Sequence, residues 1–81
     1  MNYEVIGIDV SKWQKEIDWE QALNQGISFA FIRASEGNKM VDPYLERNLT
    51  RTAELGIPRG LYHYFKPSKD WKAQVELFSS I

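Results

Sequence analysis

Three short apolar runs, at residues 5–10, 29–34 and 60–65, punctuate the chain and alternate with segments of helical pattern. The runs are β-branched or aromatic and nearly continuous rather than alternating, the pattern of strands covered on both faces of a parallel sheet. Between the first two, Asp18 and Gln21 read as a capping pair, with Trp19, Ala22 and Leu23 on one face and Gly26 as the stop. Between the second and third, Asp42-Pro43 reads as a helix start, because Asp suits the cap and Pro the first helical position. Leu45, Leu49, Thr52 and Ala53 then recur at helical spacing, and Gly56 sits where a left-handed terminating residue belongs. After the third run, Ser68 or Asp70 caps a last helix with an apolar stripe of Trp71, Val75 and Phe78. Trp19 and Trp71 both read as core.

The order is β-α-β-α-β-α, an α/β arrangement with crossovers long enough for parallel connections. It fits an open doubly wound sheet or part of a barrel. Eighty-one residues fall far short of the roughly 250 of a closed β/α barrel. Three parallel strands would also leave two free edges, which invite self-association. The expectation is therefore a partial TIM-like β/α barrel, three parallel strands alternating with three helices, with residues 1–81 forming the N-terminal part of a single domain.

Composition narrows the chemistry mainly by exclusion. There are no cysteines, so neither disulfides nor thiol catalysis enter. One histidine gives no zinc cluster, while a carboxylate site for Mg²⁺ stays open. A net charge of −1 offers no electrostatic reason to bind nucleic acid. No stretch has the roughly 18 apolar residues of a membrane span, so membrane insertion is not expected. Met1-Asn2-Tyr3-Glu4 lacks the basic start and apolar run of a signal peptide. There is no GxGxxG, Walker loop or GxSxG elbow.

Polar residues concentrate at the ends of the three runs, where sites form in parallel α/β folds. Asp9, Trp13 and Gln14 close the first. Arg33, Ser35 and Glu36 close the second. Tyr62, His63, Tyr64 and then Lys66 close the third. An acid inside an apolar strand costs several kcal/mol unless solvated or paired. Asp9 therefore reads either as a site carboxylate or as a cap of the following turn, and Glu36 either as a site carboxylate or as an ion-pair partner of Arg33. Two carboxylates on one rim suit glycoside hydrolysis, where one protonates the leaving oxygen and the other supports the sugar cation. Trp13, Tyr62 and Tyr64 offer flat faces for sugar rings, although aromatics are more often core. A lone strand histidine such as His63 is more often structural than catalytic.

At this point the residues acquire a specific resemblance. GIDVSKWQ at 7–14, IDW at 17–19, FAFIRASEG at 29–37, VDPYLERN at 41–48 and GIPRGLYHYF at 56–65 resemble, in order and in spacing, successive blocks of the glycoside hydrolase family 25 lysozymes. The resemblance implies a β/α barrel with its site at the strand C-termini. It implies hydrolysis, without a metal or organic cofactor, of the bond between N-acetylmuramic acid and N-acetylglucosamine in bacterial peptidoglycan. Asp9 matches the family's aspartate at the end of strand one, which supports the charged intermediate or assists the substrate's acetamido group. Glu36 matches a rim glutamate and Tyr62 a site tyrosine. Arg33, Tyr64 and Trp13 join them as expected substrate-binding residues. The family's general acid is the glutamate of an Asp-x-Glu motif ending strand four, a strand that would follow residue 81. The one literal Asp-x-Glu, Asp18-Trp19-Glu20, falls at a helix start and matches the IDW block. The expectation is a front portion that is inactive or nearly so by itself. The alternatives are a non-catalytic glycan-binding piece that needs a complementary chain, and an unrelated nucleotide- or receiver-like module.

Overall fold

The computed structural model describes residues 6–81. Val5, where the first strand was expected to start, lies outside the described residues, as do Met1 to Glu4, on which the signal-peptide reading rested. The elements are β1 (Ile6–Val10), a 3₁₀ turn (Lys12–Gln14), α1 (Trp19–Asn24), β2 (Ile27–Glu36), β3 (Met40–Val41), α2 (Leu45–Glu54), β4 (Arg59–Tyr64) and α3 (Trp71–Ser79). β1 and β4 both run parallel to β2. β3, which the sequence pattern did not predict, is a two-residue strand antiparallel to the end of β2. The sheet is therefore mixed, a correction to three parallel strands alone. β4 is paired with β2 at Ser35 and Glu36, so β3 must lie on the other edge of β2, beyond the end of β1.

The cap residues explain where the helices begin and end. Asp18 Oδ1 accepts from the Gln21 amide at 3.0 Å, and Gly26 leaves α1 at φ +95°. Asp70, rather than Ser68, caps α3. Gly56 (φ +68°) ends α2, as a left-handed terminator should. Asp42 departs from expectation. α2 starts at Leu45, and the Asp42 carboxylate instead accepts from the amides of Tyr44 (2.9 Å) and Lys12 (2.7 Å). The first bond is an Asx-turn, which competes with helix initiation. The second ties the turn after β1 to the loop before α2.

Among the described residues, helices cover one face of the sheet. Val10, Ala30, Ile32 and Ala34 form the core with Trp19, Leu45 and Ile57, and Ile8, Leu61 and Phe78 pack against it. The Trp19 indole donates to Asn48 Oδ1 at 3.2 Å inside this layer. The opposite face is open and carries Phe29 and Phe31 in an edge-to-face pair at 5.8 Å. Phe31 remains 47% exposed, so the expected coverage on both faces is not met among the described residues. Trp71, expected in the core, is 59% exposed. The α3 stripe is split: Phe78 packs inward, while Trp71 and Val75 face outward.

The two phenylalanines pack over glycines on the flanking strands. A Cβ at Gly7 would lie 2.1 Å from Phe29 Cζ, and one at Gly60 3.0 Å from Phe31 Cε1. Each ring lies across its neighbouring strand: a side chain at Gly7 would displace the Phe29 ring, whereas at Gly60 the Phe31 ring would have to give by a few tenths of an ångström.

Candidate active site

Register places the candidate residues on the open face. Asp9 pairs with Phe31 and Arg33 with Tyr62, and alternation carries Gly7, Asp9, Phe29, Phe31, Arg33, Gly60, Tyr62 and Tyr64 to the same side. Strict alternation would turn Glu36 away from Arg33. A bulge between Arg33 and Ser35 inserts one extra residue in β2, so Ala34 and Ser35 both face the helices and Glu36 returns to the open face beside Tyr64. Sequence periodicity alone gives no sign of this bulge.

Asp9 is exposed at the end of β1, so the desolvation cost considered from the sequence does not arise. It does not cap the following turn either. Ser11 does so, with its hydroxyl accepting from the Trp13 amide at 3.3 Å and its own amide donating to Gln14 Oε1 at 2.7 Å. This reciprocal box holds Trp13 rigidly outward, 72% exposed, with the Lys12 ammonium 5.2 Å from its ring centre.

Glu36 is only 7% exposed and gathers three cations, one from each strand end. Lys12 Nζ lies 2.5 Å from Oε1, while Lys66 Nζ and Arg33 Nη1 lie 3.7 and 4.0 Å from Oε2. The hydrogen bond from Lys12 holds its carboxyl below the ordinary glutamate value. Burial opposes this, and the charges of Lys12, Lys66 and Arg33 reinforce it. Gly37 (φ +59°) lets the Lys66 stem pass, since a Cβ there would sit 3.3 Å from Lys66 Cδ. Arg33 donates from Nε to the Tyr62 hydroxyl at 3.3 Å. Its guanidinium lies 4.6 Å from the Tyr64 ring centre and 5.6 Å from that of Tyr62. The arrangement gives a solvated carboxylate, a fixed aromatic-cation platform and a buried ionic anchor.

His63 faces the other way. Gln74 Oε1 accepts from the Lys66 amide at 2.9 Å, and Nε2 donates to the Lys66 and Lys69 carbonyls. With the amide so oriented, His63 Nε2 donates to Gln74 Oε1 at 2.9 Å, and Ser35 Oγ donates to Nδ1 at 2.7 Å. The histidine is a structural tie between β2, β4 and α3. Asp18 and Glu20 lie on the helix side, where Glu20 pairs with Arg51 at 3.1 Å. Lys12 was missed from the sequence because its partner Glu36 is remote along the chain. Lys66 was visible only as a rim cation.

The family model for glycosyl hydrolases family 25 matches residues 8–81. Lysozyme M1 of Streptomyces globisporus is 42% identical over 94% of this chain and 26% of its own length. YegX of Escherichia coli K12 is 49% identical over 95% of this chain and 30% of its own. The chain thus spans less than a third of either relative. Among solved structures, a family 25 glycosyl hydrolase from Bacillus anthracis superposes with a TM-score of 0.85 at 38% identity, covering 94% of this chain and 35% of that one. The lysozyme of Streptomyces coelicolor gives 0.84 at 38% identity, covering 98% and 37%. With three aligned strand ends and a family match over nearly its whole length, this chain belongs to glycosyl hydrolases family 25.

Proposed function

We propose that this chain forms the front portion of a peptidoglycan-cleaving β/α barrel, a lysozyme acting on the bond between N-acetylmuramic acid and N-acetylglucosamine. The observation that carries the reading is Asp9, an exposed carboxylate at the end of β1 on the same face as Arg33, Tyr62 and Tyr64. In this reading Asp9 supports the positive charge that develops at the sugar or orients the substrate's acetamido group. Trp13, Tyr62 and Tyr64 give the glycan apolar faces, and Arg33 supplies donors for its hydroxyl and carbonyl oxygens.

Glu36 is held by Lys12, so its part is to position Arg33 and the rim rather than to deliver a proton. The chain then lacks a general acid. Such a group contributes about 10²–10⁴-fold, and its absence makes residues 1–81 alone inactive or nearly so. The exposed aromatic-cation platform equally supports a second reading, in which the chain binds glycan without cutting it.

A chimaera tests the first reading. Residues 1–81 replace the matching stretch of the Streptomyces coelicolor lysozyme, and muropeptide release is measured with and without Asp9→Asn. Activity that falls at least about 100-fold in the variant, with folding intact, supports the assignment. Activity unchanged by Asp9→Asn removes Asp9 from the chemistry.

A further inference from the structure

Charges at the open end of the sheet do not balance. Lys12, Arg33 and Lys66 surround a single carboxylate, Glu36. Lys12 is committed, its ammonium 2.5 Å from Glu36 Oε1 and 3.0 Å from Met40 Sδ. Lys66 Nζ and Arg33 Nη1 stand 3.7 and 4.0 Å from Oε2, beyond the roughly 2.7–2.9 Å of an N⁺–H···O⁻ bond. Both head groups are drawn to Glu36 without bonding it, and they keep donors for a second acceptor.

Lys66 is the more accessible of the two, with 45% of its side chain exposed, yet its backbone is fixed. The buried Gln74 accepts from its amide at 2.9 Å and donates to its carbonyl at 3.0 Å. The Lys69 amide donates to the same carbonyl. Its stem passes over Gly37, where a Cβ would come within 3.3 Å of Lys66 Cδ. A cation held this way loses less freedom on meeting a ligand than one on a mobile loop. Beside it stands Tyr64, half exposed, with the Arg33 guanidinium 4.6 Å from its ring centre.

We propose that Lys66, with Arg33, forms a subsite for an anionic group, a carboxylate or a phosphate, carried on the side of the glycan. The proposal rests on the lysozyme reading and adds to it the charge that the substrate carries. β1 and β4 pair with opposite edges of β2, so their ends lie two strand spacings apart, roughly 9–10 Å. The subsite therefore lies to one side of the bond that Asp9 serves. A neutral sugar backbone offers no anion there. The carboxylates of a muramyl peptide and phosphate esters on a sugar both project sideways from the strand. Glu36 does not cancel the subsite, because Lys12 already answers its charge and a surplus of positive charge remains.

In the test, the isotope-labelled chain is titrated with two matched pairs of probes, and amide chemical shifts give each affinity. The first pair is a disaccharide muropeptide with its peptide carboxylates free, and the same compound with them amidated. The second is a phosphate ester of N-acetylglucosamine, and N-acetylglucosamine itself. The charged member of one pair binds about tenfold or more tightly than its neutral match, the worth of a hydrogen bond to a charged group. Added salt narrows this gap, and the pair that shows it identifies the source of the anion. Lys66→Gln closes the gap, Lys66→Arg restores it, and Lys72→Ala on α3 leaves it as it was. A gap that survives in Lys66→Gln overturns the proposal. So does equal affinity, or no binding, within both pairs for the wild-type chain. Charge discrimination without Asp9-dependent release in the chimaera leaves the subsite standing and counts against the catalytic reading. Release without discrimination does the reverse.

Discussion

The Lys12 ammonium lies 2.5 Å from Glu36 Oε1, tying the turn after β1 to the end of β2 beneath the open face. Because this contact lowers the Glu36 pKa in the folded chain, the unfolded state binds more protons in the window between the two values. The stabilisation is full above the ordinary glutamate value of 4.5 and is lost as pH falls through the lowered folded value. Urea unfolding of wild type and Glu36→Gln should therefore differ most above pH 4.5 and converge under more acid conditions. A difference that grows on acidification would contradict the assignment.

Gln74 satisfies His63, Lys66 and Lys69 from a fully buried position. Gln74→Leu strands several of these groups and should cost on the order of 2–3 kcal/mol, read as a lowered urea midpoint with unchanged slope. Ser35→Ala removes one bond from the same chain of contacts and should cost less.

Gly7 and Phe29 should be strongly coupled. Gly7→Ala places a methyl group inside the Phe29 ring position and should cost about 1–3 kcal/mol through overpacking. In a Phe29→Ala background the same substitution should become nearly neutral. A double-mutant cycle measures this coupling directly, and additive effects would contradict the packing described.

Lys15 holds φ 53° and ψ −136° after the 3₁₀ turn, a conformation favoured by glycine. Lys15→Gly should relieve strain of about 1 kcal/mol and raise the melting temperature slightly, whereas Lys15→Val should lower it.

Much of this architecture is written locally. The apolar runs, the Asp18 and Asp70 caps and the terminating Gly26 and Gly56 are signals within a few residues, and each appears where the pattern places it. What the pattern missed depends on partners remote in sequence. Asp42 looks like a helix cap until the Lys12 amide, thirty residues earlier, takes one of its oxygens. The bulge at Ala34 leaves no mark on periodicity, yet it alone puts Glu36 beside Tyr64. Trp71 has the spacing of a core residue, but helical spacing fixes only a shared face, not what covers it. In the candidate site, Asp9, Arg33 and Tyr62 lie on one face of the sheet, and Arg33 and Tyr62 touch. Lys12 joins through the ionic contact with Glu36, which the sequence does not announce.

In the function proposed above, these 81 residues carry the Asp9 half of a glycosidase site without its general acid. Muropeptide release from purified peptidoglycan by the isolated chain, beside Asp9→Asn, tests it most directly. Neither protein should release muropeptides above background, with both folded by circular dichroism. Release by the wild-type chain that disappears in Asp9→Asn would contradict it, because a complete catalytic pair would then exist within these residues.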